Sequence, residues 1–276
     1  MSSFAKRCMT AIIAVPVIFS LIFFFPQQHH IGFFFLVLLV SLIGSYEMKD
    51  LVTKSEGIKP YLPFWAPSIL VVSAWVENYY DYPLVDFTLI LLALVTFFME
   101  IVYGPTDNFL RTPTRVGSSI LMIVYPGFFI TFLVRISELP YNSLLLFLFF
   151  LLVFGNDTFA YIFGMTLGKN NRGILKVSPN KSIAGFIGGT VVAVIIGGLY
   201  CTFNDIGIAL WQGLLLGFLI SVSANVGDLI ESVFKRSAHV KDSGTIIPGR
   251  GGLLDSIDSL LASAPLFWIL YVLFYL

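Results

Sequence analysis

The chain is 276 residues long, 57% hydrophobic and only 12% charged, with 28 Phe and a formal net charge of zero. A mean hydropathy of +0.90 and repeated apolar runs of roughly 20 residues define an all-α polytopic membrane protein. The short connections leave no room for a soluble domain, and nucleic acid is not expected as a partner. Cys8 and Cys201 stand alone, without CxxC spacing, and read as small apolar residues, not as a disulfide or metal site.

Lys6 and Arg7 precede the first apolar run, as in a signal peptide. The FFFPQQHH that follows has no small-residue cleavage site, so the run is read as an uncleaved span. Hydropathy predicts nine spans, at about 9–25, 31–47, 61–77, 84–103, 117–135, 142–166, 183–203, 207–234 and 258–276. Pro16, Pro126 and the glycines of the seventh span (Gly185, Gly188, Gly189, Gly197, Gly198) predict kinks or close helix packing. No internal repeat is visible, and residues 1–276 read as one integral membrane domain.

The basic residues orient these spans. With a cytoplasmic N-terminus, the inside segments are 1–8, 48–60, 104–116, 167–182 and 235–257. They hold every lysine and arginine except Arg135, as the positive-inside rule requires. A charge at mid-membrane depth costs about 2.5–3.5 kcal/mol, so acids kept there are usually paired or functional. Glu47 and Glu100 lie near cytoplasmic ends and Asp86 near an outer end, where an interfacial role suffices. Asp157 is surrounded by apolar residues, and for it a buried acid tied up by neighbouring helices remains an alternative. Asp228 and Glu231 end span eight, and function is the better reading for both.

The longest charge-dense stretch runs from Asp228 to Asp258, between spans eight and nine on the cytoplasmic side. Asp228, Glu231, Ser232 and Lys235 share one helical face, and so do Asp255 and Asp258. Between them lie Lys241, Asp242, Gly244, Pro248, Gly249, Arg250, Gly251 and Gly252. Carboxylates flanking a basic, glycine-rich loop are what a divalent metal and a phosphate chain need. No Walker-type loop, no HExxH and no nucleophile with a histidine partner occurs. The loop after span six adds Ser178, Lys181 and Ser182, with Pro179 setting a turn. Ser182 can cap the next helix and leave its first amides for an anion; alone this is an ordinary loop-to-helix turn.

Ser232 to Ser259, SVFKRSAHVKDSGTIIPGRGGLLDSIDS, resembles the signature of the phosphatidate cytidylyltransferase (CDP-diglyceride synthetase) family. That signature runs S-x-apolar-K-R, four residues, K-D, a Gly/Pro loop, H-G-G and D-R-x-D. Ser232, Lys235, Arg236, Lys241, Asp242, Gly244, Gly251, Gly252, Asp255 and Asp258 fall in register. Asp157, Ala160, Tyr161, Gly164, Gly168 and Lys169 follow the family's D-x-x-A-Y-x-x-G-x-x-x-G-K, and residues 178–182 its S-P-x-K-[ST]. The likeness is sharpest over 157–259. Arg250 stands in place of the usual histidine, Ser256 in place of an arginine and Ala184 in place of a common glutamate. Arg250 can hold phosphate durably, being always charged, but cannot act as a titrating acid or base.

The resemblance implies a nucleotidyltransferase that uses CTP and phosphatidate to make CDP-diacylglycerol and pyrophosphate, in a nine-span homodimer. On that basis Asp228, Asp255 and Asp258 hold Mg²⁺, alone or as part of a two-cation site, with Glu231 or Asp242 as further ligand or outer support. Lys235, Arg236, Lys241 and Arg250 neutralise CTP phosphates, with Ser232 beside them, and Gly244, Gly251 and Gly252 let backbone amides approach. Ser178, Lys181 and Ser182 contact phosphate, and Asp157 orients a basic group. Residues 1–150 supply scaffold, dimer contacts and lipid access, and 151–276 the catalytic spans and loops. Short loops and the lack of an N-terminal extension suggest a bacterial plasma membrane. The rival readings are a CTP-dependent polyprenol or phytol kinase, a CDP-archaeol-type synthase and, from another class, a transporter.

Overall fold

The computed structural model describes residues 3–80, 82–173, 175–249 and 251–275, except the side chains of 3–11, 27 and 28. Nine helices and no strands occur among the described residues. They are α1 Ser3–Phe23, α2 Gln27–Glu56, α3 Ile69–Glu77, α4 Leu84–Tyr103, α5 Thr112–Ile136, α6 Asn142–Thr166, α7 Ile183–Phe203, α8 Leu210–Ser237 and α9 Leu254–Tyr275. Each expected span overlaps one helix, the third only over its second half. Seven of them, all but α1 and α3, are long and apolar enough to cross a membrane. The apolar helix at α3, Ala66–Glu77 with its 3₁₀ lead-in, is shorter. Pro60, Pro63 and Pro67 explain its late start, because each removes an amide donor and restricts the residue before it.

Pro126 does not break α5. It sits in a π-helical turn, Ile123–Phe128, that carries the helix past the missing N–H. The chain divides into two compact units, Met1–Glu138 with Phe234–Ser256, and Leu139–Val233 with Ile257–Leu276.

In the first unit, Phe34 stacks on Trp75 at 4.9 Å, and Ser41 Oγ donates to the Pro126 carbonyl at 3.1 Å. Glu100 is a buried, paired carboxylate. It is 6% exposed and held by Arg115, whose Nη2 and Nε donate at 2.6 and 2.9 Å, with Thr112 and Tyr61 as further donors. Arg115 also binds Asp107 at 2.6 Å, so one guanidinium ties the end of α4 to α5 and the turn between them. Arg135, the one basic residue outside the expected inner segments, pairs with Glu77 at 3.4 Å.

The second unit packs α6, α7 and α8 through glycines, as the seventh span's composition predicts. A Cβ on Gly189 would lie 2.7 Å from the Asn156 carbonyl, and one on Gly217 2.9 Å from the Val194 backbone. At α9, Phe149 meets Phe267 at 5.3 Å and the Tyr271 hydroxyl donates to the Ile206 carbonyl at 2.9 Å.

Candidate active site

The polar residues singled out in the sequence fall into two groups, one in each unit.

In the first unit, α8 ends in a turn where His239 takes φ 55° and the Val240 amide returns to the Lys235 carbonyl at 3.0 Å. Lys235 Nζ lies 2.6 Å from Asp255 Oδ1, with side chains only 16% and 5% exposed. Asp255 Oδ2 accepts from the Ser243 amide (2.8 Å), the Ser243 hydroxyl (2.9 Å) and the Gly252 amide (2.7 Å). Ser243 was not among the expected residues.

Neither was Glu47, whose carboxylate accepts from the Leu253 amide at 2.9 Å and the Leu254 amide at 2.7 Å. It is 2% exposed, so this acid is buried and bonded by protein donors, not a solvated charge. Ser243 Oγ lies 3.2 Å from Glu47 Oε2, and its single proton serves one carboxylate at a time. The glycines make room for these acids: a Cβ would fall 2.5 Å from Glu47 Oε1 at Gly244 and 2.6 Å from Glu47 Oε2 at Gly252. Gly251 is further required by its φ of 109°. Its amide and carbonyl pair with Ile247 at 3.0 and 2.8 Å, closing a tight turn. Arg236, Lys241 and Asp242 are exposed. Arg250 lies outside the described residues, and the Ser256 hydroxyl is buried with no hydrogen-bond partner among the described residues.

In the second unit, Lys181 Nζ lies 2.5 Å from Asp228 Oδ2, with 21% and 40% of their side chains exposed. Ser182 is the expected helix cap: its backbone is extended and its Oγ accepts from the Gly185 amide at 3.1 Å. Ser178 begins the turn, its carbonyl taking the Lys181 amide at 3.2 Å. Ser232 is half-buried, whereas Glu231 is fully buried and Asp258 is 7% exposed. Asp258 Oδ1 accepts from the Ser259 amide at 2.6 Å.

Asp157 has side-chain surface exposed, yet its carboxylate is desolvated and has Asp228, Lys181 and Ser259 from neighbouring segments around it, so the alternative of an acid tied up by neighbouring helices stands. Its Oδ1 accepts from Asn156 Nδ2 at 3.2 Å. That asparagine joins three helices: Ser221 Oγ donates to its Oδ1 at 2.7 Å, Thr190 lies 2.7 Å from Ser221, and Asn225 Oδ1 lies 3.4 Å from Nδ2. The sequence reading missed this polar run; single Asn, Ser and Thr residues in apolar helices were its only signal.

Among the described residues, no three or more His, Cys, Asp or Glu side chains gather as a metal ion would need. Asp228 and Asp255 each face a lysine ammonium instead. The chemistry of the donors still suits a hard cation such as Mg²⁺, because all are carboxylates. Asp228 is the more open donor, whereas Asp255 accepts from four protein groups.

Seven long apolar helices thus carry two lysine–carboxylate clusters at or near helix ends. The chain belongs to the cytidylyltransferase family, whose pattern it matches over residues 5–274. It is 28% identical to the phosphatidate cytidylyltransferase of Bacillus subtilis over 271 residues, 98% of each chain. It is 45% identical over 123 residues to the proteins of that name from Staphylococcus saprophyticus and Staphylococcus haemolyticus. Those two alignments span 45% of this chain and 47%, about half, of each relative.

Proposed function

We propose that the protein transfers CMP from CTP to phosphatidate, giving CDP-diacylglycerol and pyrophosphate. The observation that carries this reading is the family match along nearly the whole chain, with the Bacillus subtilis protein aligned from end to end. A phosphate oxygen of phosphatidate attacks the α-phosphorus of CTP, and the bond to pyrophosphate breaks. The lipid phosphate is itself the nucleophile, so no covalent catalyst is needed. The protein must bring two anions together and stabilise charge on the leaving group.

Lys235, Arg236, Lys241 and Arg250 are assigned to the CTP phosphates, with Ser232, Gly244, Gly251 and Gly252 around them. Ser178, Lys181 and Ser182 are assigned to the lipid phosphate, and Asp157 to orienting a basic group. Asp228, Asp255 and Asp258 would hold Mg²⁺, alone or in a two-cation site, with Glu231 or Asp242 in support. Bound there, the cation would offset the charge of the departing pyrophosphate. Two apolar grooves beside α7 suit acyl chains. One of about 420 Å³ is lined by Phe163, Leu167, Ile187 and Val191, the other of about 380 Å³ by Phe186, Phe218, Val222 and Leu229.

Under this reading the nine helices are nine spans with a cytoplasmic N-terminus, in a bacterial cell membrane and as a homodimer. The third span counts its proline-rich lead-in, 61–65. The Asp228–Asp258 stretch then lies on the cytoplasmic side, where CTP is found. Residues 1–150 are the scaffold and 151–276 carry most of the assigned chemistry.

The test is to incubate purified protein with labelled CTP and Mg²⁺, with phosphatidate in one arm and a polyprenol in the other. Pyrophosphate with CDP-lipid is expected. CDP with a phosphorylated alcohol would make it a lipid kinase, and neither product would favour a transporter. An ether-linked phosphatidate used in preference would indicate an archaeol-type synthase.

A further inference from the structure

Glu47 closes α2's apolar run in the stretch IGSYEMKD, and nothing in the proposed reaction yet uses it. A buried carboxylate persists only where donors compensate it. Here the donors come from the other end of the chain, the Leu253 and Leu254 amides, which stand at the start of α9. Such amides have no partner within their own helix, and the positive end of the helix dipole favours an anion there. The anion at this helix start is the protein's own Glu47. Two glycines beside it, Gly244 and Gly252, leave the space its oxygens occupy. Ser243 joins the same carboxylate to Asp255, whose remaining acceptor positions are taken by the Gly252 amide and Lys235.

We propose that Glu47 is a positioning residue for nucleotide binding: it fixes the backbone from Ser243 to Leu254, and through it Asp255 and the exposed Lys241 and Asp242. This rests on the cytidylyltransferase reading. Without the carboxylate, the Leu253 and Leu254 amides lose their acceptor, and the loop is no longer tied to α2. The Ser243 and Gly252 groups that hold Asp255 belong to that same loop, so its carboxylate loses its fixed direction. The lipid's contacts at Ser178, Lys181 and Ser182 lie on another loop, held by its own turn and cap.

The experiment uses the full chain in detergent–lipid micelles, comparing wild type with Glu47→Gln and Glu47→Asp. Glu47→Gln keeps the size but turns an NH₂ group toward amide donors. Glu47→Asp keeps the charge on a shorter arm. The KM for CTP should rise about tenfold or more in Glu47→Gln, with the KM for phosphatidate within about twofold, and Glu47→Asp should recover part of the loss. A fall in kcat alone, or an equal rise in both KM values, would overturn the proposal.

Limited trypsin cleavage after Lys241, without nucleotide, gives a readout independent of the reaction. It should be at least about fivefold faster in Glu47→Gln; equal rates would show that Glu47 does not order the loop. If the wild type makes no CDP-lipid, the functional reading fails, and cleavage alone decides whether Glu47 fixes this backbone.

Discussion

Two loops, 167–182 in one unit and 238–253 in the other, each lead into a helix start, and they are closed in different ways. The first is closed locally. Ser182 reaches three residues forward to the Gly185 amide, and the turn before it is a short backbone bond from Lys181 to Ser178. The second is closed from far away: the amides at the start of α9 donate to Glu47, 206 and 207 residues distant in sequence. The ion pairs differ in the same sense, since Lys181 and Asp228 are partly open whereas Lys235 and Asp255 are nearly sealed. A local cap makes a helix begin at one residue. A distant carboxylate also decides which other helix the loop belongs to.

The largest effect is expected at Asp228, the open carboxylate. Asp228→Asn removes its charge while keeping its shape, and cytidylyl transfer should fall by about a thousandfold, on the order of 4 kcal/mol of transition-state stabilisation. The protein should still accumulate in the membrane fraction. Near-normal activity in the labelled-CTP assay would take Asp228 out of the chemistry and leave it as Lys181's partner alone.

The contrast between the two ion pairs is itself measurable. Lys235→Met takes the ammonium from Asp255 at 5% exposure and leaves its carboxylate to the neutral Ser243 and Gly252 donors, a loss of about 3–5 kcal/mol. At about 2–4 °C per kcal/mol for a chain of this size, the unfolding midpoint in detergent should drop by roughly 10 °C. Lys181→Met strands a carboxylate that reaches solvent, where a pair contributes about 0–1 kcal/mol, so its midpoint should move by at most about 3 °C. Equal shifts would erase the distinction. Ser182→Ala comes next, losing the α7 cap for about 1 kcal/mol, while Ser182→Gly should cost only a few tenths. The Ala-to-Gly order in thermal melts checks that capping is the role of this hydroxyl.

The residues that could be read in advance are those whose partners are close in sequence. Helix positions followed from apolar runs, the Ser182 cap from its place before one, and the tight packing of α7 from its glycines. Pro126 in an apolar run signals irregularity, but whether a proline kinks a helix or is absorbed in a π turn depends on what packs around it. Glu47, Glu100 and Asn156 were legible only as polar residues in apolar company. Their partners are chosen by tertiary packing, and no local pattern specifies that Glu47 meets Leu253 or that Arg115 serves both Glu100 and Asp107. The short α3 was overestimated because hydropathy averages across Pro60, Pro63 and Pro67 without registering their missing amides.

The smallest effect is expected where the sequence departs from its family's pattern. Ser256 stands at a position usually held by arginine, and Arg250 where a histidine is usual. If the positive charge has moved from one position to the other, restoring the pattern with Arg250→His and Ser256→Arg together should keep most of the activity. The exchange also removes no hydrogen bond between the Ser256 hydroxyl and the described residues, among which it has no partner. The single variants are the informative controls. Arg250→His alone lacks either cation at neutral pH and should weaken CTP binding, whereas Ser256→Arg alone has both and should bind CTP no worse than wild type. Turnover in the double variant near the wild-type rate, with Arg250→His clearly slower, would establish that the charge has been exchanged. An inactive double variant that still folds would mean that Arg250 contributes something to its loop that a histidine cannot replace.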